Sequence, residues 1–276
     1  MKRILGLVAS QRKRANSEML LKEAALAAGD ECQLELMRLA EWRLAPCRGC
    51  YTCLIPGKTC TIGDDLYPLV EKIKEADGII LAAPCYAFGP AAVTKLFGDR
   101  IIALTQHLDD FWDKPCVIIA TTGKEGWEGY TLAALVVMTR NLGLALKDSC
   151  MFMGSLPGES VLMDGALERV RLLGSRLFGE ARLPVQGECP TCWSDIWKFP
   201  EPGLAVCPLC GQRAELVVTE EGVNLNYGLA STRHKKVELM HHNQELQAKV
   251  KEFLSRRNEL EVIRNAYKGG GNWLKP

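Results

Sequence analysis

Between residues 2 and about 180 the chain alternates short apolar runs with amphipathic stretches. KRILGLV (2–8), GIILAAP (78–84) and PCVIIATT (115–122) are continuous apolar runs of strand length, which predict buried strands. QLELMRL (33–39) alternates as a strand does, and LKDSCMFMG (146–154) supplies a fifth. The segments between them have helical periodicity. NSEMLLKEAALAA (16–28) predicts a helix capped by Asn16 or Ser17. Asp64 and Asp65 stand where the following helix, LYPLVEKIKEA, favours acid at its N-terminus. AAVTKLFGDRIIALTQ, TLAALVVMTRNLG and GALERVRLLGSRLFGEA (165–181) complete the helical series. Strands separated by helices imply βαβ units, hence a parallel sheet covered on both faces. The expectation is an α/β fold with a doubly wound five-stranded parallel sheet, binding its ligands at the carboxyl ends of the strands.

The pattern changes after Leu183. Residues 184–228 carry prolines, glycines, cysteines and short β-prone pieces such as AELVVT. One long helix is predicted from about Arg233 to Tyr267, with Leu239, Leu246, Phe253, Leu260 and Tyr267 at every seventh position. The second heptad column, Asn243, Val250, Arg257 and Arg264, is poor. A single apolar stripe fits a helix docked on the body or on a partner subunit better than a free coiled coil. The tail GGGNWLKP is expected to be flexible unless Trp273 docks. The predicted division is therefore 1–183, 184–228 and 229–276.

A content of 47% hydrophobic and 24% charged residues in 276 positions supports a sizeable core in a globular protein. The net charge of +1 argues against wholesale nucleic-acid binding, although basic residues outnumber acidic ones ten to five after residue 228. That imbalance keeps a nucleic-acid-contacting appendage open. The apolar run after MKR is too short for a signal-peptide core, and no stretch approaches the ~20 apolar residues of a membrane span. The expected location is the cytoplasm, where twelve cysteines stay reduced and clustered ones are metal ligands rather than disulfides. Eight do cluster, at 47/50/53/60 and 189/192/207/210, while Cys32, Cys85, Cys116 and Cys150 stand alone as small hydrophobes.

The first predicted strand runs into SQRKRANSE (10–18). A turn that opens a helix offers N–H groups, hydroxyls and the positive helix end to a phosphate. There is neither a G-x-G-x-x-G nor a Walker lysine, and the stretch alone fits a solvated basic loop equally well. Together with APCYAFGPAAVTKLFGDR (83–100) and ATTGKEGWEG (120–129), however, it resembles the three cofactor loops of the flavodoxin-like NADPH-dependent FMN reductase family. Lys95 and the Asp99-Arg100 pair match that family's pattern, and Gln11 departs from its common proline. The resemblance implies that Ser10, Arg12, Asn16 and Ser17 hold the FMN phosphate. It implies that Pro84, Cys85, Tyr86, Ala87, Phe88 and Gly89 wrap the isoalloxazine edge, with Thr121, Thr122, Gly123 and Gly126 on its other side.

The first cysteine group, in PCRGCYTCLIPGKTCTIGDD (46–65), has the spacing C-x2-C-x2-C-x6-C. Three thiolates at two-residue gaps wrap one face of a cluster and a longer loop returns the fourth, whereas zinc usually takes two separate pairs. The loop resembles the compact motif of the iron–sulfur flavoprotein family, a branch of the same flavodoxin-like group. That resemblance implies a 4Fe-4S cluster on Cys47, Cys50, Cys53 and Cys60, in loop 46–63, and an assembly of two or four subunits in which cluster and flavin communicate across an interface. The second group, CPTC and CPLCG fourteen residues apart, has two knuckles that bind one metal tetrahedrally through Cys189, Cys192, Cys207 and Cys210. It resembles zinc ribbons and also rubredoxin-like modules, so zinc is the expected ion and a single iron the alternative. His234, His241 and His242 read as a solvated helix face, and Asp109-Asp110 as a turn.

The expected function is that of a redox flavoprotein passing electrons between the cluster and FMN, from a ferredoxin-like or NAD(P)H donor to a small acceptor. Two alternatives stand beside it. One is an NAD(P)H-dependent FMN or quinone reductase without a cluster; the other is a redox-sensing module that contacts nucleic acid.

Overall fold

The computed structural model describes residues 1–220, 222–268 and 274, so the expected docking of Trp273 lies outside the described residues. The first part of the chain runs β1 (Lys2–Val8), α1 (Asn16–Leu26), β2 (Cys32–Arg38), α2 (Leu66–Glu75), β3 (Gly78–Tyr86), β4 (Gly89–Pro90), α3 (Ala92–Asp99), α4 (Leu108–Phe111), β5 (Pro115–Thr122), α5 (Thr131–Asn141), β6 (Ala145–Met153) and α6 (Ala166–Ser175). The five long strands pair in parallel in the order β2-β1-β3-β5-β6, and the short β4 pairs antiparallel with β3. This is the flavodoxin-like order. Side chains alternate across the sheet, so the apolar strands supply two cores at once. Leu5, Leu7, Ile79, Leu81 and Ile118 pack toward α2, α3 and α5, while Ile4, Val8, Ile80 and Val117 pack toward α1 and α6. At Gly174 an added Cβ would lie 2.0 Å from the Ala24 carbonyl oxygen, so α6 meets α1 backbone to backbone.

The remaining chain forms a four-stranded antiparallel sheet from β7 (Lys198–Glu201), β8 (Leu204–Val206), β9 (Arg213–Thr219) and β10 (Gly222–Tyr227), in the order β10-β9-β8-β7. Two helices follow, α7 (Lys236–Ser255) and α8 (Arg257–Asn265), with no buried residue in either. Leu239 packs against the main core and Lys236 pairs with Asp109, which holds the start of α7 to the body.

Several local expectations change. The residue preceding α1 is Ala15, and neither Asn16 nor Ser17 acts as its cap; both lie inside the first turn. The segment AAVTKLFGDRIIALTQ is not one helix. It breaks at Arg100 and continues as a 3-10 turn, Ile101–His107, because the Arg100 side chain leaves the helical face for a buried ion pair described below. The long C-terminal helix breaks likewise at Arg256, whose guanidinium reaches Glu252 and Glu259 on either side. Asp109 and Asp110 belong to α4, with Asp110 paired to Lys74.

Candidate functional site

The carboxyl ends of β1, β3 and β5 enclose a cavity of about 220 Å³. Ser10, Arg12, Asn16, Ser17, Pro84, Cys85, Tyr86, Thr121, Thr122 and Gly123 all line it, and Ala15, Gly154, Ser155 and Pro157 join them. Ser17 Oγ is buried with no hydrogen-bond partner, and the first N–H groups of α1 have no carbonyl one turn earlier to bond. An orphaned hydroxyl beside a helix N-terminus fits an anionic phosphate. The Asn16 side chain is engaged elsewhere: its Nδ2 donates to the Gly154 carbonyl and its Oδ1 accepts from Gly158 N–H, at 2.9 and 2.8 Å. It ties the loop after β6 to the phosphate turn.

Glu18 shapes that turn and was not legible as part of it. Its carboxylate accepts from Arg14 N–H, from Lys22 and from Arg38, each at 2.7 Å, and Arg38 also donates to the carbonyls of Ser10 and Arg12. Burial works against the charge, but the bonds from Lys22, Arg38 and Arg14 outweigh it and hold the carboxyl pKa at about 2, down from 4.5. A depressed folded-state pKa stabilises fully above pH 4.5 and is lost as the pH falls toward 2. Glu18→Gln is expected to lower stability by about 1–2 kcal/mol at pH 7. The gap between variant and parent should close below pH 4.5, as read by denaturation at several pH values.

The loop expected to wrap the isoalloxazine edge is a two-residue hairpin between β3 and β4. Ala87 and Phe88 occupy its tip at φ 49° and 66°, a left-handed pair with no glycine. Phe88 carbonyl oxygen accepts from Tyr130 N–H at 2.9 Å, and the Phe88 ring stacks on Trp127 at 5.3 Å. Cys85 Sγ lies 3.5 Å from the carbonyl oxygens of Trp127 and Glu128. The loop after β5 therefore props the hairpin in its strained shape. Ala87, Phe88, Gly89 and Gly126 stay outside the cavity lining, and Phe88 and Trp127 remain about half exposed at its rim.

Cys47, Cys50, Cys53 and Cys60 line a second cavity, of about 340 Å³, between the loop that joins β2 to α2 and residues 99–103. Burial raises the Cys53 thiol pKa, and the neighbouring Cys60, Cys50 and Cys47 raise it further, so the four sulfurs share one electrostatic environment. The Cys50 thiol is lowered by hydrogen bonds from the Thr52 hydroxyl and backbone. Tetrahedral Zn–S bonds of ≈ 2.3 Å place sulfurs about 3.8 Å apart. No three of these four sulfurs lie within 4.8 Å of one another, so the loop does not form the tight tetrahedron of the second cysteine group. Asp64 and Asp65 do more than open α2. Asp65 accepts from Arg43 N–H at 2.7 Å, and Asp64 accepts from Ala45 N–H at 2.8 Å, closing the loop's two ends. Asp64 also pairs with the fully buried Arg100 at 2.6 Å.

Cys189, Cys192, Cys207 and Cys210 do converge. Among the described residues they are the one group of three or more ligand atoms lying within 4.8 Å of each other, and all four are buried. Trp193 N–H donates to the Cys189 carbonyl and Gly211 N–H to the Cys207 carbonyl, both at 2.8 Å, so the two knuckles are mirrored. Trp193 takes the left-handed position, φ 64°, that Gly211 takes at φ 80°. The guanidinium groups of Arg182 and Arg140 lie 4.6 and 5.6 Å from the centre of its ring, which holds the strained backbone in place. His241 and His242 are exposed as expected, whereas both ring nitrogens of His234 are buried without a partner. Among the described residues no helix is long and apolar enough to cross a membrane.

Comparison with known proteins places the chain in a family. An iron–sulfur flavoprotein of Methanocaldococcus jannaschii is 40% identical over 99 residues, which are 36% of this chain and 51% of that protein. The chain thus matches about half the length of that relative. A flavone synthase of Aspergillus candidus is 25% identical over 92% of this chain and 90% of its own length. A solved flavone reductase superposes with a TM-score of 0.73 over 99% of both chains at 17% identity, so the shared fold extends through the second cysteine module and the C-terminal helices. Residues 2–155 match the model of the NADPH-dependent FMN reductase family. The chain belongs to that family and is a flavin-dependent oxidoreductase.

Proposed function

We propose that this oxidoreductase passes electrons between a 4Fe-4S cluster on Cys47, Cys50, Cys53 and Cys60 and an FMN seated at the carboxyl ends of β1, β3 and β5. One observation carries the reading: a phosphate cradle with an unpartnered hydroxyl and a cavity lined by four loosely spaced thiols occur in one chain. When bound, the cluster supplies single electrons and FMN one- or two-electron exchange, which couples a one-electron donor to a two-electron acceptor. Ser10, Arg12 and Ser17 would hold the phosphate, and the main chain of residues 84–89 would face the ring edge. The stacked Phe88–Trp127 rim offers a flat apolar surface to a small planar acceptor. The names of the two full-length relatives, a flavone synthase and a flavone reductase, support an aromatic acceptor of that shape. The donor in this reading is a ferredoxin-like protein or NAD(P)H.

In the second module we propose zinc, with a rubredoxin-like iron as the alternative. Half or more of the side-chain surface of Val237, Leu254, Val262, Ile263 and Tyr267 on and beside α7 and α8 is exposed, which supports their use in a homodimer or homotetramer. Removal of residues 236–276 is expected to lower the oligomeric state by light scattering. Lys249 and Arg256 are neutralised by glutamates on their own helices, which ranks nucleic acid last.

Anaerobic reconstitution followed by iron, sulfide, zinc and flavin analysis tests the reading. About four iron, four sulfide and one FMN per chain are expected. Fewer than about two iron atoms would remove the cluster and leave an NAD(P)H-dependent FMN or quinone reductase. The exposed Cys47 and Cys50 give that second reading its own observation, and rapid bleaching of bound flavin by NADPH would support it.

A further inference from the structure

Arg100 is one of the residues that line the cysteine cavity. Among the described residues it is the largest fully buried side chain, at 0% exposure. Its Nη2 lies 3.4 Å from Cys60 Sγ and 3.2 Å from Asp64 Oδ1, while its Nη1 donates to Asp64 Oδ2 and the Ala45 carbonyl at 2.6 and 2.8 Å. Nε is buried with no partner. Burying a guanidinium costs several kcal/mol, and one carboxylate and one carbonyl leave it incompletely satisfied. A neutral staple between α3 and the loop would avoid that cost. A cation is worth keeping there where negative charge gathers, and the four cysteines that share this cavity would be thiolates once they held a cluster. The neighbouring pair of the same motif differs: Lys95 and Asp99 satisfy each other at the surface, and only Arg100 turns inward.

We propose that Arg100, oriented by Asp64, is a positioning residue that sets the reduction potential of the cluster through its contact with Cys60. The inference rests on the cluster reading above. Reduction adds one electron from an external donor such as dithionite and no proton at the cavity, so a fixed positive charge beside a ligand sulfur favours the reduced form. Asp64 opposes it by one negative charge and fixes its geometry through two hydrogen bonds.

The test is an EPR-monitored anaerobic redox titration of the full-length reconstituted protein, its Arg100→Gln and Arg100→Lys variants, and Asp64→Asn. Arg100→Gln is expected to shift the equilibrium about tenfold or more toward the oxidised cluster, which for a one-electron couple is about 59 mV downward. Arg100→Lys should recover most of the shift, and Asp64→Asn should move the potential upward. Opposite signs for the two neutralisations are not the mark of a merely loosened loop. Loss of the cluster from Arg100→Gln with retention in Arg100→Lys would also support the need for a cation. Loss from both, with native circular dichroism, would overturn the electrostatic role and leave packing. An unchanged potential in Arg100→Gln at full iron content would overturn it outright. Parent protein without iron and sulfide would defeat the cluster reading itself, and the Arg100 proposal with it.

Discussion

Cys53→Ser is expected to lose essentially all loop iron and acid-labile sulfide while keeping FMN and the metal of the second module. Cys53 is a half-buried member of the cavity lining, and burial together with Cys60, Cys50 and Cys47 raises its thiol pKa. A hydroxyl is a poor substitute for a thiolate toward iron, because the ligand must be deprotonated and soft. The FMN pocket shares no lining residue with the cysteine cavity, and the second module is built on its own four sulfurs. Iron, zinc and flavin counted on one sample read all three sites together. A variant with iron equal to the parent would show that the loop holds no cluster through this sulfur.

The second large effect is expected from Gly129→Ala, far from any cysteine ligand. Gly129 has φ 53°, and an added Cβ would lie 2.1 Å from the Phe88 carbonyl oxygen and 2.7 Å from its Cα. The obstacle is backbone, so no side chain can rotate away, and the left-handed conformation adds its own penalty. The hairpin tip carrying Ala87 and Phe88 must lift away from the loop that props it, losing the hydrogen bond from Tyr130 N–H. A fall of tenfold or more in FMN affinity is expected, together with about 2–4 kcal/mol of stability. Flavin fluorescence titration and chemical denaturation measure the two losses separately. Tight FMN binding in the variant would mean that the hairpin does not shape the ring site.

The sheet was legible because its strands are nearly continuous apolar runs. PCVIIATT coincides with β5, and GIILAAP and QLELMRL fall within two residues of β3 and β2 at either end. The candidate flavin loops were legible for a related reason: β1, β3 and β5 end in turn residues, and ligand sites gather at those ends. What stayed hidden depends on distant partners. Nothing in GDRIIALT announces that Arg100 will leave its helix, because Ala45 and Asp64 lie far back along the chain. Asp64 and Asp65 look like helix-opening acids because they are, yet their stronger partners are Arg43, Ala45 and Arg100. Asn16 reads as a cap by residue type, but the loop at 154–160 claims its side chain. Glu18 offered no signal beyond being an acid in a first turn, since Arg38 reaches it from the adjacent strand. The strands β7, β8 and β10 escaped notice because four sulfurs, rather than an apolar periodicity, organise that module.

Trp193, packed against Arg140 of α5 and Arg182 of the connecting segment, bears on how the second module is carried. A carrier that swings on a tether must release its contacts on every cycle. Here release would expose an indole that is 7% accessible and part it from the guanidinium groups of Arg140 and Arg182. Trp193 thus acts as a bracket between the second module and the body, a contact that a carrier swinging on a tether would have to break.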